Sequence, residues 1–317
     1  MRNQVTIAVP VYNGEKYVIE TLQSILDQTV KIDHVIICDN HSTDNTVITV
    51  KKFISENKDV DIKLFVNSEN IGGFRNFNRC MELCTSDYLL LLGADDTLKP
   101  EAIEKQLGVF DEYPDLALIG GITDFIYDGK LVLNNNTSEI IIFNKGQIVE
   151  FIKKTNLYMQ HSTILFNYKL TKQIGLWEIK IGADERFNAR VLKHYPIAFF
   201  GKPLVNQRIH LKQETNSENL RFHDKIEHFE ENYKMASLET TPKRVKKAQR
   251  LLNDWIACQC IGVGKSVWKK FGKKKLAIEY WLYGLRRNPF FYLKRYTIFQ
   301  VEKYSKKAKR FITRTLN

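Results

Sequence analysis

Residues 88–98 read YLLLLGADDTL. An apolar run without polar interruption is the pattern of a strand covered on both faces, as in a parallel sheet. The run ends in Gly93 and Ala94 and then sets two carboxylates, Asp95 and Asp96, side by side. Two like charges a few ångströms apart repel unless something positive lies near them. The pair therefore reads in two ways: as a solvated turn, or as ligands for a cation.

The same rhythm extends outward. VTIAV (5–9), HVIIC (34–38), IKLFV (62–66) and YLLLL (88–92) are strand runs, and LALIG (116–120) makes a fifth. Helical segments alternate with them. Val18, Leu22, Ile25 and Leu26 share a face, as do Val47, Val50, Phe53 and Ile54. GGFRNFNRCMELC (72–84) and PEAIEKQLGVF (100–110) complete the set, Pro100 suiting a first helical turn. The alternation predicts an α/β fold with a Rossmann-like, mostly parallel sheet. Ligands of such sheets bind beyond the carboxyl ends of the strands. Pro10, Val11 and Tyr12 follow the first strand, Asp39 the second, the segment from Asn70 to Arg75 the third, and Asp95–Asp96 the fourth.

Each candidate also has a plainer reading. Asp39 can hold a base or ribose, or make an Asx turn before the next helix. Of the paired aspartates, one can bind a hard cation such as Mg²⁺ or Mn²⁺ and the other a sugar hydroxyl. CIGVGKS (260–266) is similar to the end of a phosphate-binding loop, but Gln259 stands where its first glycine belongs and no strand precedes it.

Residues 121–215 are less regular. They carry turn signals at 143–146, a helix over Asp184–His194, and IAFFGKPLVNQRIH (197–210), expected as strand, turn, strand. Beyond about residue 220 the chain reads as helical, basic and aromatic.

The net charge of +12 is uneven. From Thr241 onward, 21 Lys and Arg face only Asp254, Glu279 and Glu302, a balance of +18, which leaves −6 for the first 240 residues. KKFGKKK (269–275), LRRNPFFYLKRY (285–296) and KYSKKAKRF (303–311) interleave cations with aromatics. That pattern suits an anionic membrane surface or nucleic acid, beside the plain alternative of a solvated helical bundle. The acidic body argues against nucleic acid, so a membrane surface is the expected partner.

No apolar run reaches the ~18 residues of a membrane span, and the N-terminus has no signal-peptide pattern. Five cysteines without a C-x-x-C pair indicate neither a disulfide framework nor a zinc knuckle, and Cys80 and Cys84 read as reduced core thiols. The expectation is a cytoplasmic protein, peripheral on the inner face of the cell membrane.

In order and spacing, VTIAVPVYNGEKYVIETLQSIL, VIICDNHSTDNT, NIGGFRNFN and YLLLLGADDTLKPEAI resemble the family 2 glycosyltransferases of GT-A fold, over about the first 110 residues. The resemblance implies a GT-A domain over 1–220, with a nucleotide-binding half (1–120) and an acceptor and catalytic half (121–220), followed by a basic helical region (221–317). It implies that Asp39 reads the uracil of a UDP-sugar and that Pro10, Val11 and Tyr12 line the base pocket. Asn70 and Arg75 join the nucleotide contacts. Asp95 touches ribose or sugar and Asp96 takes the metal, Mn²⁺ or Mg²⁺. Gly93 stands where the family more often has the first aspartate of D-A-D-D.

More weakly, IGADERFNARVLKHYPIAFFGKPLVNQRIH is similar to the family's G-E-D…L-R-L…P-L-V-x-Y-R-x-H stretch. Asp184 falls on the general base, with Glu185 as its rival and Ala183 in place of the usual glutamate. Arg208 and His210 fall on the pair that faces the diphosphate. Apart from the resemblance, Asp184 reads as a surface helix carboxylate and His210 as a strand-end histidine. The implied activity is inverting, metal-dependent transfer of a sugar from a nucleotide-sugar to a glycan or lipid-linked acceptor in surface polysaccharide synthesis. One alternative is a sugar-phosphate nucleotidyltransferase, although PVYNGEKY supplies only Gly14 and Lys16 of the basic glycine loop such enzymes use. The other is a nucleic-acid-binding protein acting through the tail.

Overall fold

The computed structural model describes residues 3–134, 140–155, 159–180, 182–210, 226–227, 230–231, 233–238, 241–271 and 274–289. The chain forms two compact units, Met1–Leu220 and Arg221–Asn317.

The first unit is built on one mixed sheet. Strands β1 (Val5–Val11), β2 (His34–Asp39), β3 (Ile62–Val66) and β4 (Tyr88–Leu91) pair in parallel in the order β3-β2-β1-β4. Helices α1 (Val18–Leu26), α2 (Thr46–Glu56), α3 (Gly73–Leu83) and α4 (Ala102–Glu112) alternate with the strands. The apolar spacing of α1 buries Val18, Leu22 and Ile25, and α3 packs against β1 and β2. Leu89, Leu90, Leu91 and Leu92 are wholly buried, each side chain contributing ~1.5–3 kcal/mol of hydrophobic stabilisation.

Past β4 the sheet departs from simple alternation. Gly93–Asp96 crosses to the two-residue strand β5 (Thr97–Leu98), which pairs at the far edge of the sheet. The fifth predicted strand begins two residues late, as β6 (Leu118–Tyr127), and is extended by β7 (Lys130–Val132). It does not lie beside β4. The short strand β9 (Leu165–Asn167) inserts antiparallel between them, after β8 (Ile141–Phe143) and α5 (Ile148–Thr155). After a one-turn helix, α6 (Tyr168–Thr171), α7 (Ala183–His194) fulfils the helical expectation there.

The expected strand, turn, strand at 197–210 is instead one strand, β10 (Ile197–Ile209). It runs parallel to β6 with a register shift between Phe200 and Val205. Gly201 and Pro203 suggested a turn, but they make a bulge. Gly121 on β6 permits it, because a Cβ there would collide with the Phe200 carbonyl oxygen.

Among the described residues of the second unit are a 3₁₀ turn (Lys234–Leu238) and the helices α8 (Pro242–Phe271) and α9 (Lys274–Arg287). They close around Ala257, Ile261, Trp281 and Leu285, with Trp268 and Trp281 stacked at 5.4 Å. CIGVGKS lies inside α8, so it is no phosphate loop. The basic segments beyond residue 289, and Gly272–Lys273 of KKFGKKK, lie outside the described residues. Among the described residues no helix is long and apolar enough to cross a membrane. Cys38, Cys80, Cys84, Cys258 and Cys260 are free thiols, all but Cys258 buried.

Candidate active site

The polar ends of β1, β2 and β4 and the end of β10 meet on one edge of the sheet. Asp39 closes β2, fully buried. Its Oδ2 accepts the Ser42 N–H at 2.9 Å, the turn that its plainer reading expected. Its Oδ1 is buried without a hydrogen-bond partner among the described residues. An orphaned carboxylate oxygen is costly to bury, so its retention points to a ligand that supplies the missing donor. Pro10 and the buried Val11 end β1 beside it, and Tyr12 is half exposed. The loop after β1 is held to the loop after β2: Asn13 N–H donates to Ser42 Oγ, and Thr43 N–H to Asn13 Oδ1, both at 2.8 Å.

Asp95 and Asp96 occupy different environments. Asp96 is 2% exposed. Its Oδ2 accepts the Ser162 hydroxyl at 2.6 Å and its Oδ1 the Arg208 N–H at 3.1 Å. Asp95 is the open one, and its Oδ2 lies 2.8 Å from His210 Nε2. Arg208 donates through Nε to the Asp95 carbonyl oxygen at 3.1 Å and pairs through Nη2 with Glu20 at 2.6 Å. The Tyr17 ring backs both basic groups, 4.4 Å from the Arg208 guanidinium and 5.3 Å from the His210 ring. Glu20 and Tyr17 carried no signal in the sequence beyond helical spacing.

Burial, and then the charge of Asp95, push the Asp96 carboxyl up to about 7. Such a group holds its proton in the folded state where the unfolded chain has already released it. The metal-free protein should therefore lose stability as pH rises from about 4 to about 7. Asp96→Asn should flatten that part of a pH–Tm curve; an unchanged slope would show that Asp96 is not its source.

A divalent cation suits this donor set. Among the described residues no group of three or more metal-binding side chains occurs. Mg²⁺ is typically held by one or two carboxylates, with substrate phosphates and waters completing the shell. The adjacent aspartates offer that partial set, and their mutual repulsion is what a cation would relieve.

Asp184 lies in the first turn of α7, part-buried, after Gly182 at φ 73°. Glu185 is its neighbour in the same turn. A group that the sequence did not suggest, His161, heads a 3₁₀ turn (His161–Thr163) and is close enough to Asp184 and Asp95 for both carboxylates to act on its proton.

Asn70 and Arg75 sit differently. Asn70 Oδ1 accepts from Asn40 Nδ2 and Gly72 N–H, both at 2.9 Å, so its amide braces the loop. Asn40 continues through Asn67 to Asn76, which donates to the Cys38 carbonyl oxygen. Arg75 is exposed on α3 and lines a groove of about 580 Å³ with Ile71, Arg79, Leu176 and Ile179. No other predicted site residue lines that groove.

This architecture, with acidic strand ends facing a basic strand end across one sheet edge, is that of the GT-A glycosyltransferases. Residues 1–349 of S. aureus TarS in complex with UDP-GlcNAc superpose with a TM-score of 0.68 at 17% identity, covering 90% of this chain and 81% of that one. The mannosyltransferase PcManGT of Pyrobaculum calidifontis, in complex with GDP-Man and Mn²⁺, gives 0.57 at 14% identity, covering 91% and 87%. The model of glycosyl transferase family 2 matches residues 6–175, more than half of the chain, and the chain belongs to that family. The putative glycosyltransferase EpsE of Bacillus subtilis is 31% identical over 117 residues, 37% of this chain and 42% of EpsE. An uncharacterized glycosyltransferase of Haemophilus influenzae is 25% identical over 234 residues, 68% of each. The putative teichuronic acid biosynthesis glycosyltransferase TuaG of Bacillus subtilis is 33% identical over 103 residues, 32% of this chain and 40% of TuaG.

Proposed function

We propose that this protein transfers a sugar, with inversion, from a UDP-sugar to a glycan or lipid-linked acceptor in surface polysaccharide synthesis. The observation that carries the reading is the convergence of Asp95, Asp96, Arg208 and His210 on the sheet edge that also holds the orphaned Asp39 oxygen. Asp39, with Pro10, Val11 and Tyr12, takes the base of the nucleotide. Arg208 and His210 are the basic groups available to the diphosphate. Asp184 takes the proton from the acceptor hydroxyl as that oxygen attacks the anomeric carbon.

Mn²⁺ or Mg²⁺ would neutralise the charge that develops on the departing diphosphate. The buried Asp96, with both oxygens engaged, is better suited to fixing the turn, which leaves the open Asp95, beside His210, as the carboxylate to meet the cation. The teichuronic acid role in the name of the relative TuaG supports a polysaccharide product.

An anionic membrane surface is the proposed location of the work. On α9, Lys274, Ile278, Leu282 and Arg286 recur every fourth residue, with Ile278 and Leu282 45% and 49% exposed. Apolar side chains flanked by cations suit the headgroup boundary.

Thermal shift with UDP, dTDP and GDP, each with and without Mn²⁺, tests the reading. A ligand at 100 times its Kd adds ~2.7 kcal/mol of stability. UDP with Mn²⁺ should raise Tm, and Asp95→Ala should abolish the metal-dependent part. No shift with any nucleotide would refute the donor assignment; a full metal-dependent shift in Asp95→Ala would refute the cation's place.

A further inference from the structure

His161 lies outside the motifs that identify the family, yet it is near both Asp95 and Asp184 and is linked to Asp96 through Ser162. Its turn is rigid. Thr163 Oγ lies 2.6 Å from the Gln160 carbonyl oxygen and accepts the Gly121 N–H at 2.8 Å, and Gln106 Nε2 donates to the Thr163 carbonyl oxygen at 2.7 Å. The ring is clamped edge-on by Phe77 at 5.3 Å and Trp177 at 6.4 Å. Trp177 is itself pinned, its N–H and carbonyl oxygen both bonded at 2.9 Å to the Asn78 amide.

The hydrogen bonds determine which ring nitrogen carries the proton. A serine hydroxyl has one proton to give and two lone pairs. When Asp96 is ionised, as a cation beside Asp95 favours, Ser162 gives its proton to Asp96 Oδ2 at 2.6 Å and accepts the Gly93 N–H at 3.2 Å. His161 Nε2, 3.2 Å from the same oxygen, must then be the donor for the remaining lone pair. With one nitrogen protonated in a neutral ring, Nδ1 is a bare acceptor. It has no hydrogen-bond partner among the described residues. Burial holds the ring below the ordinary histidine value against the pull of Asp184 and Asp95, which keeps the acceptor available at neutral pH.

Nucleotide diphosphate on the Asp95–His210 side and acceptor hydroxyl at Asp184 leave only the transferred sugar to lie between them. We propose that His161, through Nδ1, accepts a hydrogen bond from a hydroxyl of the donor sugar and so helps to select that sugar. This rests on the nucleotide-sugar reading above. A rigid acceptor that loses no freedom on binding is the kind of contact that discriminates between sugars differing in one hydroxyl.

Two substitutions separate this role from a structural one. In His161→Gln the new side-chain amide can reproduce the Nε2 donor to Ser162 but not the Nδ1 acceptor; His161→Asn keeps an acceptor near Nδ1 and loses the donor. Calorimetric titration of each protein with Mn²⁺, UDP, and UDP-glucose, UDP-galactose, UDP-N-acetylglucosamine and UDP-glucuronate gives the affinity of each sugar nucleotide relative to UDP. For the UDP-sugar that binds the wild type best, His161→Gln should lower this ratio roughly tenfold, the loss of one hydrogen bond, with UDP itself unchanged. His161→Asn should keep the ratio. The proposal is overturned if His161→Gln keeps the ratio, or if both variants lose UDP and UDP-sugar in step, as a purely structural histidine would require. A wild type that binds UDP but no UDP-sugar overturns the proposal alone; one that binds no nucleotide overturns the reading beneath it.

Discussion

Asp184→Asn is expected to bind UDP and Mn²⁺ as the wild type does and to transfer sugar about 10²–10⁴-fold more slowly. The amide keeps the size and the hydrogen-bonding edge of the carboxylate but cannot take a proton. Since Asp184 lies on α7 and the nucleotide residues on β1, β2 and β4, binding and chemistry should separate in this variant. Nucleotide affinity and turnover, measured on the same preparation, check it. Normal turnover would remove Asp184 as base, and the same loss in Glu185→Gln instead would move the role one residue along the turn.

The second large effect concerns stability. Asp124 on β6 is 1% exposed, and Lys99 Nζ lies 2.6 Å from its Oδ2, while its Oδ1 accepts the Asn134 N–H at 2.6 Å. Removing the lysine leaves a buried carboxylate with one backbone donor in place of its counter-charge. Lys99→Ala should therefore cost about 3–5 kcal/mol, a large part of the 5–15 kcal/mol that holds a typical domain folded. Lys99→Met with Asp124→Leu should recover most of that loss, because the desolvation cost disappears with the charges. Denaturant unfolding of both variants decides it. Equal destabilisation in the single and double variants would mean that packing matters there and charge does not.

The first half of the unit was legible because its signals are local. Continuous apolar strands and 3.6-residue spacing placed β1 to β4 and α1 to α4 within a few residues. Asp39, Asp95 and Asp96 were legible for the same reason, as polar residues that end such strands. What failed was non-local. β9 is three residues long and owes its existence to the gap between β4 and β6, which no window of sequence contains. The Gly201–Pro203 turn signal was real chemistry in a wrong context, since the space for a bulge comes from Gly121 on another strand. Ser162 and His161 reach Asp96 and its neighbours across 66 residues, and Lys99 reaches Asp124 across 25. Such contacts leave no periodicity. Asn70 was legible only as a polar residue beyond a strand; that its side-chain oxygen accepts from Asn40 on the loop after β2, as well as from Gly72 in its own loop, was not.

The four residues Gly93–Asp96 are anchored at both ends, by β4 to β1 in the centre of the sheet and by β5 to β10 at its edge. Thr21 fastens the span from below, its hydroxyl 2.9 Å from the Ala94 and 2.8 Å from the Asp96 carbonyl oxygens. A segment held at three points has little conformational entropy left to surrender when a cation and a diphosphate arrive. Association should carry a small ordering penalty at the carboxylates, and any gating of substrate entry must be done by some other part of the chain.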